Sequence, residues 1–187
     1  INQNEIPATR MVNLTDLDGD GLITFRDLND PVNQGPFKAN DTNGDSRIDN
    51  RDVLAAMQLS GGKDLGGGGW ANQLDDGENT YVDDIVGWDT ASNDNNPNPL
   101  NNSSHGTHVA GITAARTNNG VGVAGTAGDV TIMPIRFYGS GQWTSTVVAR
   151  SYAYAADNGA RIITTSYNVD GFASDPTFIA GLQYMYD

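Results

Sequence analysis

The sequence contains no cysteine, which excludes disulfide bonds and thiolate metal sites and leaves the redox environment of the protein open. It also lacks an apolar run long enough to cross a bilayer, so we expect no membrane partner. Basic residues are scarce, since 10 Lys and Arg face 23 Asp and Glu and the net charge is −13. Such a surface repels a phosphate backbone, so we expect no nucleic-acid partner.

An initiating methionine and a secretory signal segment are also missing, because the chain starts at Ile1 with a polar stretch. We therefore expect an excised part of a longer protein, and the missing signal leaves secretion open. The 187 residues suffice for one domain, or for one domain and a small module. A hydrophobic fraction of 37% argues against wholesale disorder.

Aspartate makes up most of the acidic surplus, and two similar segments, residues 16–27 and 41–52, contain much of it. We call them the first and second acidic loops. An EF-hand loop places oxygen ligands at positions 1, 3, 5, 7, 9 and 12, with glycine at position 6. The first loop has Gly21 at that position and the second has Ser46. The predicted ligands are Asp16, Asp18, Asp20, the Leu22 carbonyl, Thr24 and Asp27 in the first loop, and Asp41, Asn43, Asp45, the Arg47 carbonyl, Asp49 and Asp52 in the second.

Several carboxylates in one small loop repel each other by about 1–4 kcal/mol per close pair, so we expect a bound cation. Ligand sets made of oxygen atoms alone favour calcium. The alternative is a pair of solvated acidic turns. Two loops with aspartate at position 12 resemble the dockerin-type calcium repeat. That resemblance implies a rival function, a calcium-binding interaction module that docks onto a cohesin-like partner.

From residue 105 onward, the apolar pattern predicts alternating helices and strands, namely helices near 106–117, 144–158 and 176–187 and strands near 130–137 and 161–166. Gly159 predicts the end of the second helix, and Asp175 followed by Pro176 predicts the start of the third. Such alternation is typical of a parallel sheet with crossover helices, so we predict an α/β fold. The predicted division is paired calcium loops at 1–60, a loop-rich acidic connection at 61–104 and an α/β region at 105–187.

Both histidines of the chain lie in the segment His105-Gly106-Thr107-His108-Val109-Ala110-Gly111. This segment resembles the catalytic-histidine motif of the subtilisin-like serine peptidases. The flanking segments 81–89, 118–125 and 139–143 follow in the order of that family, and the resemblance covers most of residues 75–187. It implies a three-layer domain with a parallel sheet, peptide-bond hydrolysis in polypeptide substrates, dependence on calcium, and a secreted or cell-surface location.

By that resemblance, His105 is the general base at the first residue of a buried helix, and His108 is structural. The family order of the catalytic triad is Asp, His, Ser. No Asp-Thr-Gly or Asp-Ser-Gly precedes His105, and no Gly-Thr-Ser follows it. The look-alike Asp89-Thr90-Ala91 lacks the glycine and lies too few residues upstream. We therefore expect the catalytic Asp and Ser to lie outside these residues, and the chain alone to be inactive.

The resemblance also implies where an extended peptide would bind. One edge segment contains Ser140 and Gly141, and the facing segment contains Ser166, Tyr167 and Asn168. The family has glycine at the position of Asn168. A side chain at a point of close backbone approach is expected to alter the primary specificity pocket.

Two further calcium loops are implied by the same resemblance. The third acidic loop, residues 75–84, would bind through Asp75, Asn79, the Tyr81 carbonyl and Asp83, but Gly77 replaces its third-position aspartate. A loop after the histidine helix would use Asn119 and neighbouring carbonyl groups. For both, the alternative is a plain polar turn.

The histidine pair has two other interpretations. Histidines three residues apart on one helix can share a zinc ion, although metallopeptidases space them by four with a glutamate between. They can also be core residues. If the chain were complete in itself, a calcium-binding interaction protein or a catalytically incomplete peptidase homologue would be the better class.

Overall fold

Residues 1–100, 103–128, 130–139 and 143–186 are described by the structure, a computed structural model of the chain. They fall into two compact units, Ile1–Gly87 with Asp94–Asn96, and Trp88–Asn93 with Pro97–Asp187. Capped turns and loops dominate the first unit, and longer helices dominate the second. Among the described residues, no helix has the length and apolar character needed to cross a bilayer.

The α-helices of the first unit are single turns, and two of the three begin with a side-chain cap. α1 spans Ala8–Met11, α2 spans Phe25–Leu28 and α3 spans Asn50–Val53. α2 and α3 start with the same reciprocal cap, in which an N-cap side chain and an acidic side chain three residues later each accept a backbone N–H. A two-residue antiparallel pair, β1 (Leu59–Ser60) and β2 (Lys63–Asp64), follows α3.

The two acidic loops contribute equivalent residues to one hydrophobic core. Ile23 and Ile48, both at the eighth position of their loops, are 4% and 2% exposed. A glutamine or asparagine amide brackets each isoleucine backbone. The Gln3 amide bonds both N–H (2.7 Å) and C=O (2.8 Å) of Ile23, and the Asn29 amide does the same for Ile48 at 2.8 and 2.7 Å. These brackets satisfy backbone groups that would otherwise be buried without partners.

Buried Arg10 holds the end of the first unit against α1. Its guanidinium donates to the carbonyls of Gly66 (3.2 Å) and Gly68 (2.6 Å), pairs with Asp64 at 3.1 Å, and lies 5.6 Å from the centre of the Trp70 ring. An arginine satisfied in this way by carbonyls and a carboxylate can be buried at an acceptable cost.

The second unit contains a parallel strand pair and three longer helices. β3 (Trp88–Asp89) pairs with β4 (Ile135–Arg136), with Trp88 opposite Ile135. The helices are α4 (His105–Ala114), α5 (Ser145–Asp157) and α6 (Pro176–Tyr186). Helices with a parallel strand pair agree with the predicted α/β class.

α5 and α6 confirm the predicted helices at 144–158 and 176–187. The Thr144 hydroxyl caps α5, and Gly159 follows α5 with a φ of +78°, the left-handed conformation that commonly ends a helix. Asp175 caps α6 by accepting the Thr177 N–H at 2.8 Å and also accepts the Ser145 hydroxyl at 2.8 Å. Val148, Tyr152 and Phe178 form the core between the two helices.

The strand predictions are wrong over most of their length. Residues 130–137 form a strand at Ile135–Arg136, and residues 161–166 form none. A strand needs a partner for its ladder of hydrogen bonds, and the described residues supply one for Ile135–Arg136, namely β3. Ile162, in the unpaired segment, is 85% exposed.

α4 confirms a helix beginning at the histidine motif but not its expected burial. It ends at Ala114, three residues before the predicted end, and the helix contains no buried residue. Ile112 is 64% exposed. An apolar helix becomes buried when another layer covers it, and no described element does so here.

An ion pair joins the last residues of the two strands, which lie opposite each other. Arg136 donates to Asp89 through Nε at 2.8 Å and through a second nitrogen, and Asp89 is 0% exposed. Burial alone would raise the pKa of Asp89, but hydrogen bonds from Arg136 and Ser92 outweigh burial, so its pKa lies below the ordinary value.

We expect Arg136→Ala to lower the free energy of unfolding of the second unit by about 3 kcal/mol, because it leaves a buried carboxylate without its countercharge. In the wild type, this stabilisation is present above about pH 4 and is lost as pH falls through the lowered pKa of Asp89. Urea denaturation across pH measures both effects. Arg150→Ala, on the exposed side of α5, is the matched control and should change stability by less than about 0.5 kcal/mol.

Candidate metal loops and histidine helix

The first acidic loop brings three carboxylates together. Ligand-capable oxygens of Asp16, Asp18 and Asp27 lie within 4.8 Å of one another, and of the described residues these form the one such group. Asp27 is 1% exposed and accepts the Leu17 N–H (3.1 Å), the Thr24 N–H (2.8 Å) and the Thr24 hydroxyl (2.7 Å). Burial would raise the pKa of Asp27, but these hydrogen bonds outweigh burial and lower it. The Asp27 carboxylate is therefore held in a fixed orientation by three hydrogen bonds.

Backbone N–H groups fix the other carboxylates of this loop. Asp16 accepts the N–H groups of Gly19 and Gly21, each at 2.8 Å, and Asp20 accepts the Leu22 N–H at 2.8 Å. The hydrogen bond from Gly21 is the main reason that the pKa of Asp16 is lowered. The loop is thus a tight turn around Asp16, with Gly21 at a φ of +86°.

The second acidic loop repeats this geometry. Asp41 accepts the Ser46 N–H at 2.8 Å, as Asp16 accepts that of Gly21. Asp52 is buried and accepts the Thr42 N–H at 2.7 Å and the Asp49 N–H at 2.8 Å. The second loop has Ser46 at position 6, where the first loop has glycine. Ser46 has a φ of +69°, so its backbone adopts the same left-handed conformation as Gly21.

Arginine side chains neutralise part of the charge in both loops. Arg51 bonds Asp45 at 2.7 Å and Asp49 at 2.6 Å, and Arg26 bonds Asp18. These pairs are exposed at the surface, where ion pairs contribute little to stability. Asn43 and Arg47 in the second loop take part in tight turns, because Asn43 accepts the Asp45 N–H (2.9 Å) and Arg47 donates its N–H to Asp45 (3.0 Å).

The third acidic loop has the same turn. Asp75 accepts the Asn79 N–H at 3.0 Å and the Thr80 N–H at 2.6 Å, and Asn79 accepts the Tyr81 N–H at 2.8 Å. Thr80, at position 6, has a φ of +72°. All three loops therefore share a left-handed sixth residue whose N–H bonds the first aspartate.

Asp83 has a different role from its neighbours in the third loop. It is 6% exposed and accepts the N–H groups of Asn72 (2.7 Å) and Gln73 (2.8 Å). Both carboxylate oxygens thus hold the preceding segment in place.

Sequence reasoning missed two acidic residues at this loop, namely Glu5, which lies against it, and Asp84, its last residue. Glu5 is 1% exposed, and its Oε1 accepts the Gly77 N–H at 2.6 Å. Burial raises the pKa of Glu5 to about 7; the Gly77 hydrogen bond opposes that shift, and the nearby carboxylates of Asp84, Asp75 and Asp76 add to it. One indication of such a residue was present in the sequence, because Gly77 leaves the third position of the loop without a side chain.

Asp84 joins the chain's beginning to this loop. It is 0% exposed and accepts the side-chain amides of Asn2 at 2.7 Å and Asn79 at 3.2 Å. The Asn2 N–H also donates to the Ile85 carbonyl at 2.7 Å. The N-terminal segment is therefore fastened along the far end of the third loop.

His105 begins α4, as predicted, but both histidines are exposed. Exposure argues against the interpretation that they are core residues. The one three-residue metal group among the described residues does not include either histidine. Asp89 is engaged by Arg136, which agrees with leaving Asp89 unassigned as the partner of His105.

Only some of the residues predicted to bind peptide are described by the structure. Ser140 and Gly141 lie outside the described residues. Ser166 is exposed, and the Tyr167 ring packs 5.1 Å from that of Trp143 and 4.7 Å from that of Phe137. The Tyr167 hydroxyl donates to that of Tyr152 at 2.9 Å, and burial, followed by this contact, raises the pKa of Tyr167. Tyr167 is therefore fixed in an aromatic cluster.

The side chains of Asn168 and Asn119 are both used in local turns. Asn168 accepts the Asp170 N–H at 2.7 Å and bonds the Asp170 carboxylate at 3.0 Å. Asn119 accepts the Val121 N–H at 3.0 Å in an exposed segment. For Asn119, this arrangement is that of a polar turn.

Left-handed backbone costs about 1–2 kcal/mol for a residue with a side chain. We therefore expect Ser46→Gly and Thr80→Gly each to raise the free energy of unfolding of the first unit by about 1 kcal/mol. Gly21→Ser, the reverse change at the equivalent position, should lower it by a similar amount. Urea denaturation in the presence of a chelator measures these changes. The interpretation would be contradicted if Ser46→Gly and Gly21→Ser changed the free energy of unfolding in the same direction.

The family model and the similar proteins point to the same family. The model of the subtilase family of peptidases matches residues 29–184. Thermitase of Thermoactinomyces vulgaris is 48% identical over 85 residues, which cover 44% of this chain and 29% of thermitase. The thermophilic serine proteinase of Bacillus sp. (strain AK1) is 46% identical over 87 residues, covering 46% and 21%.

A third relative, the cell wall-associated protease of Bacillus subtilis, is 39% identical over 72 residues, which cover 38% of this chain and 8% of that protein. The chain thus spans less than a third of the length of each of these relatives. No solved structure matches it significantly. Since the family model covers most of the chain, including the histidine helix, the chain belongs to the subtilase family of serine peptidases.

Proposed function

We propose that these residues are the histidine-bearing part of a calcium-dependent subtilisin-like serine endopeptidase. The observation that carries the proposal is the position of His105, the first residue of α4, within the region that matches the family. The His105 imidazole is exposed at the start of this helix, so a serine from another part of the protein could approach it.

In this proposal His105 accepts the proton of a serine hydroxyl as that oxygen attacks the peptide carbonyl, and then gives it to the leaving amine. An aspartate would hold the imidazole tautomer, and oxyanion donors would stabilise the tetrahedral intermediate. The aspartate and serine would come from parts of the protein beyond these residues, so the 187 residues alone would not hydrolyse peptides.

Polypeptide substrates agree with membership of a peptidase family. We place the extended substrate along Ser140 and Gly141 on one side and Ser166, Tyr167 and Asn168 on the other. The Tyr167 ring is held by aromatic neighbours, and the Asn168 side chain is turned onto Asp170. With its side chain turned in this way, Asn168 would leave room for the substrate backbone to approach.

The acidic loops fit calcium by their chemistry. Asp16, Asp18 and Asp27 converge, and all the donors in the first loop are oxygen atoms. Calcium, when bound, would neutralise these carboxylates and stiffen the loops. We propose that residues 1–60 are a dockerin-like calcium-stabilised element, joined through residues 61–104 to the peptidase region at 105–187. The repeated loop geometry and the common core of Ile23 and Ile48 support the paired element, and Trp70 and Ile85 of the connection pack in that same core.

A secreted or cell-surface location is also part of the proposal. Calcium is abundant outside cells, where modules with weak sites are occupied. The name of the Bacillus subtilis relative places that relative at the cell wall.

We expect calcium to raise the melting temperature of the protein, because it binds the folded loops. At a concentration 100 times Kd, one site contributes about 2.7 kcal/mol. Asp16→Asn should reduce the calcium-induced increase, whereas Asp94→Asn, the same change outside the loops, should preserve it. Thermal denaturation with calcium or with chelator measures the difference.

The alternative function, a calcium-binding interaction module, makes a different prediction. Such a module would bind a partner in a calcium-dependent way, and an active-serine probe would not label it.

We expect an active-serine probe to label the intact protein with its flanking segments, and His105→Ala to reduce labelling at least about 10³-fold, because no base then activates the serine. His108→Gln, on the same helix, is the matched control and should retain most labelling. Labelling that persists in His105→Ala, or is missing from the wild type, would overturn the peptidase proposal.

A further inference from the structure

The third acidic loop has a gap at its third position, and another part of the chain fills it. Gly77 has no side chain, yet a Cβ placed on it would lie 2.6 Å from Glu5 Oε1 and 3.5 Å from the Asn4 Cβ. The Glu5 carboxylate therefore occupies the space into which a side chain at position 77 would project. The Gly77 N–H donates to the same oxygen at 2.6 Å.

The second oxygen of Glu5 has no hydrogen-bond partner although it is buried. Glu5 is 1% exposed, and Oε2 is one of two buried side-chain polar atoms without a partner among the described residues. Within that same set of residues, no Lys or Arg pairs with Glu5. Burying a carboxylate oxygen without a partner is costly, and buried charges are normally paired or coordinated to a metal.

The position of Glu5 is firmly determined. It ends a one-turn 3₁₀ helix, Gln3–Glu5, that is capped by Asn2. Asn2 bonds Asp84 (2.7 Å) and the Ile85 carbonyl (2.7 Å), so the turn is anchored to the end of the third loop. The carboxylate is thus held against the loop by a bonded backbone.

The remaining ligands agree with an EF-hand-like site. Asp75 and Asn79 are in place at positions 1 and 5, and Thr80 has the left-handed φ of the sixth position seen in the first two loops. The Tyr81 carbonyl follows at position 7. Calcium takes six to eight oxygen ligands, so a site that lacks its third-position carboxylate would be weak.

We propose that Glu5 supplies the missing third-position ligand, so that a divalent cation site is assembled from Glu5, Asp75, Asn79 and the Tyr81 carbonyl. This inference rests on the proposed calcium function of the third loop and adds a ligand from a segment about 70 residues away in sequence. Asp83 then serves to position the loop through Asn72 and Gln73.

The test is a CaCl2 titration of the intact protein, followed through the backbone amide resonances of Gly77 and Thr80, which report on this loop alone. Glu5→Gln keeps the size of the side chain and its bond to the Gly77 N–H but removes the charge. We expect it to weaken calcium binding at this loop at least about tenfold. Glu78→Gln removes the same charge from an exposed residue of the same loop and should change affinity less than about threefold.

A rescue variant separates a ligand from a merely structural residue. Gly77 lies outside the left-handed region, so an aspartate is tolerated there once Glu5 is shortened. Glu5→Ala alone should lose affinity, and Glu5→Ala with Gly77→Asp should return it to within about threefold of the wild type.

Equal affinities of Glu5→Gln and Glu78→Gln would overturn the role of Glu5 and leave calcium binding by the loop intact. Failure of the double variant to recover affinity would likewise count against Glu5 as a ligand. If the Gly77 and Thr80 resonances of the wild type do not move at millimolar calcium, the third loop is not a calcium site and both proposals about it fail. The serine-probe experiment is independent of all these outcomes.

Discussion

Side-chain oxygens that accept backbone N–H groups hold the first unit together. Its described helices and strands are short, so much of its backbone needs partners outside regular structure. Aspartates at the first position of each acidic loop, Asp16, Asp41 and Asp75, provide such partners. The same atoms are suited to hard cations. The acidic surplus of the chain therefore serves local folding and the proposed calcium sites at once.

The sequence predicted the elements that depend on interactions between neighbouring residues better than those that depend on distant ones. Helices α5 and α6 were predicted close to their observed ends because caps and Gly159 act within a few residues. The turns of the acidic loops were predicted for the same reason. The segment 161–166 was not, because a strand depends on a distant partner and its apolar residues alone do not provide one.

The candidate site shows the same limit. His105 and the first-loop aspartates follow from motif and spacing. The structure puts His105 at a helix start and brings Asp16, Asp18 and Asp27 together, but not the predicted ligand Asp20. Glu5 could not be found in this way, because it meets Gly77 across 72 residues. The exposure of α4 could not be predicted either, because a motif specifies a helix but not what covers it. Family membership, in turn, rests on similarity across the chain and not on burial of that helix.

The amide brackets around Ile23 and Ile48 make each acidic loop depend on a segment that precedes it. Gln3 precedes the first loop and brackets its isoleucine, and Asn29, just after the first loop, brackets the isoleucine of the second. Each isoleucine is thus held by a side chain that lies N-terminal to its own loop. Because both isoleucines also pack in one core with Trp70 and Ile85, removing either loop would expose that core to water.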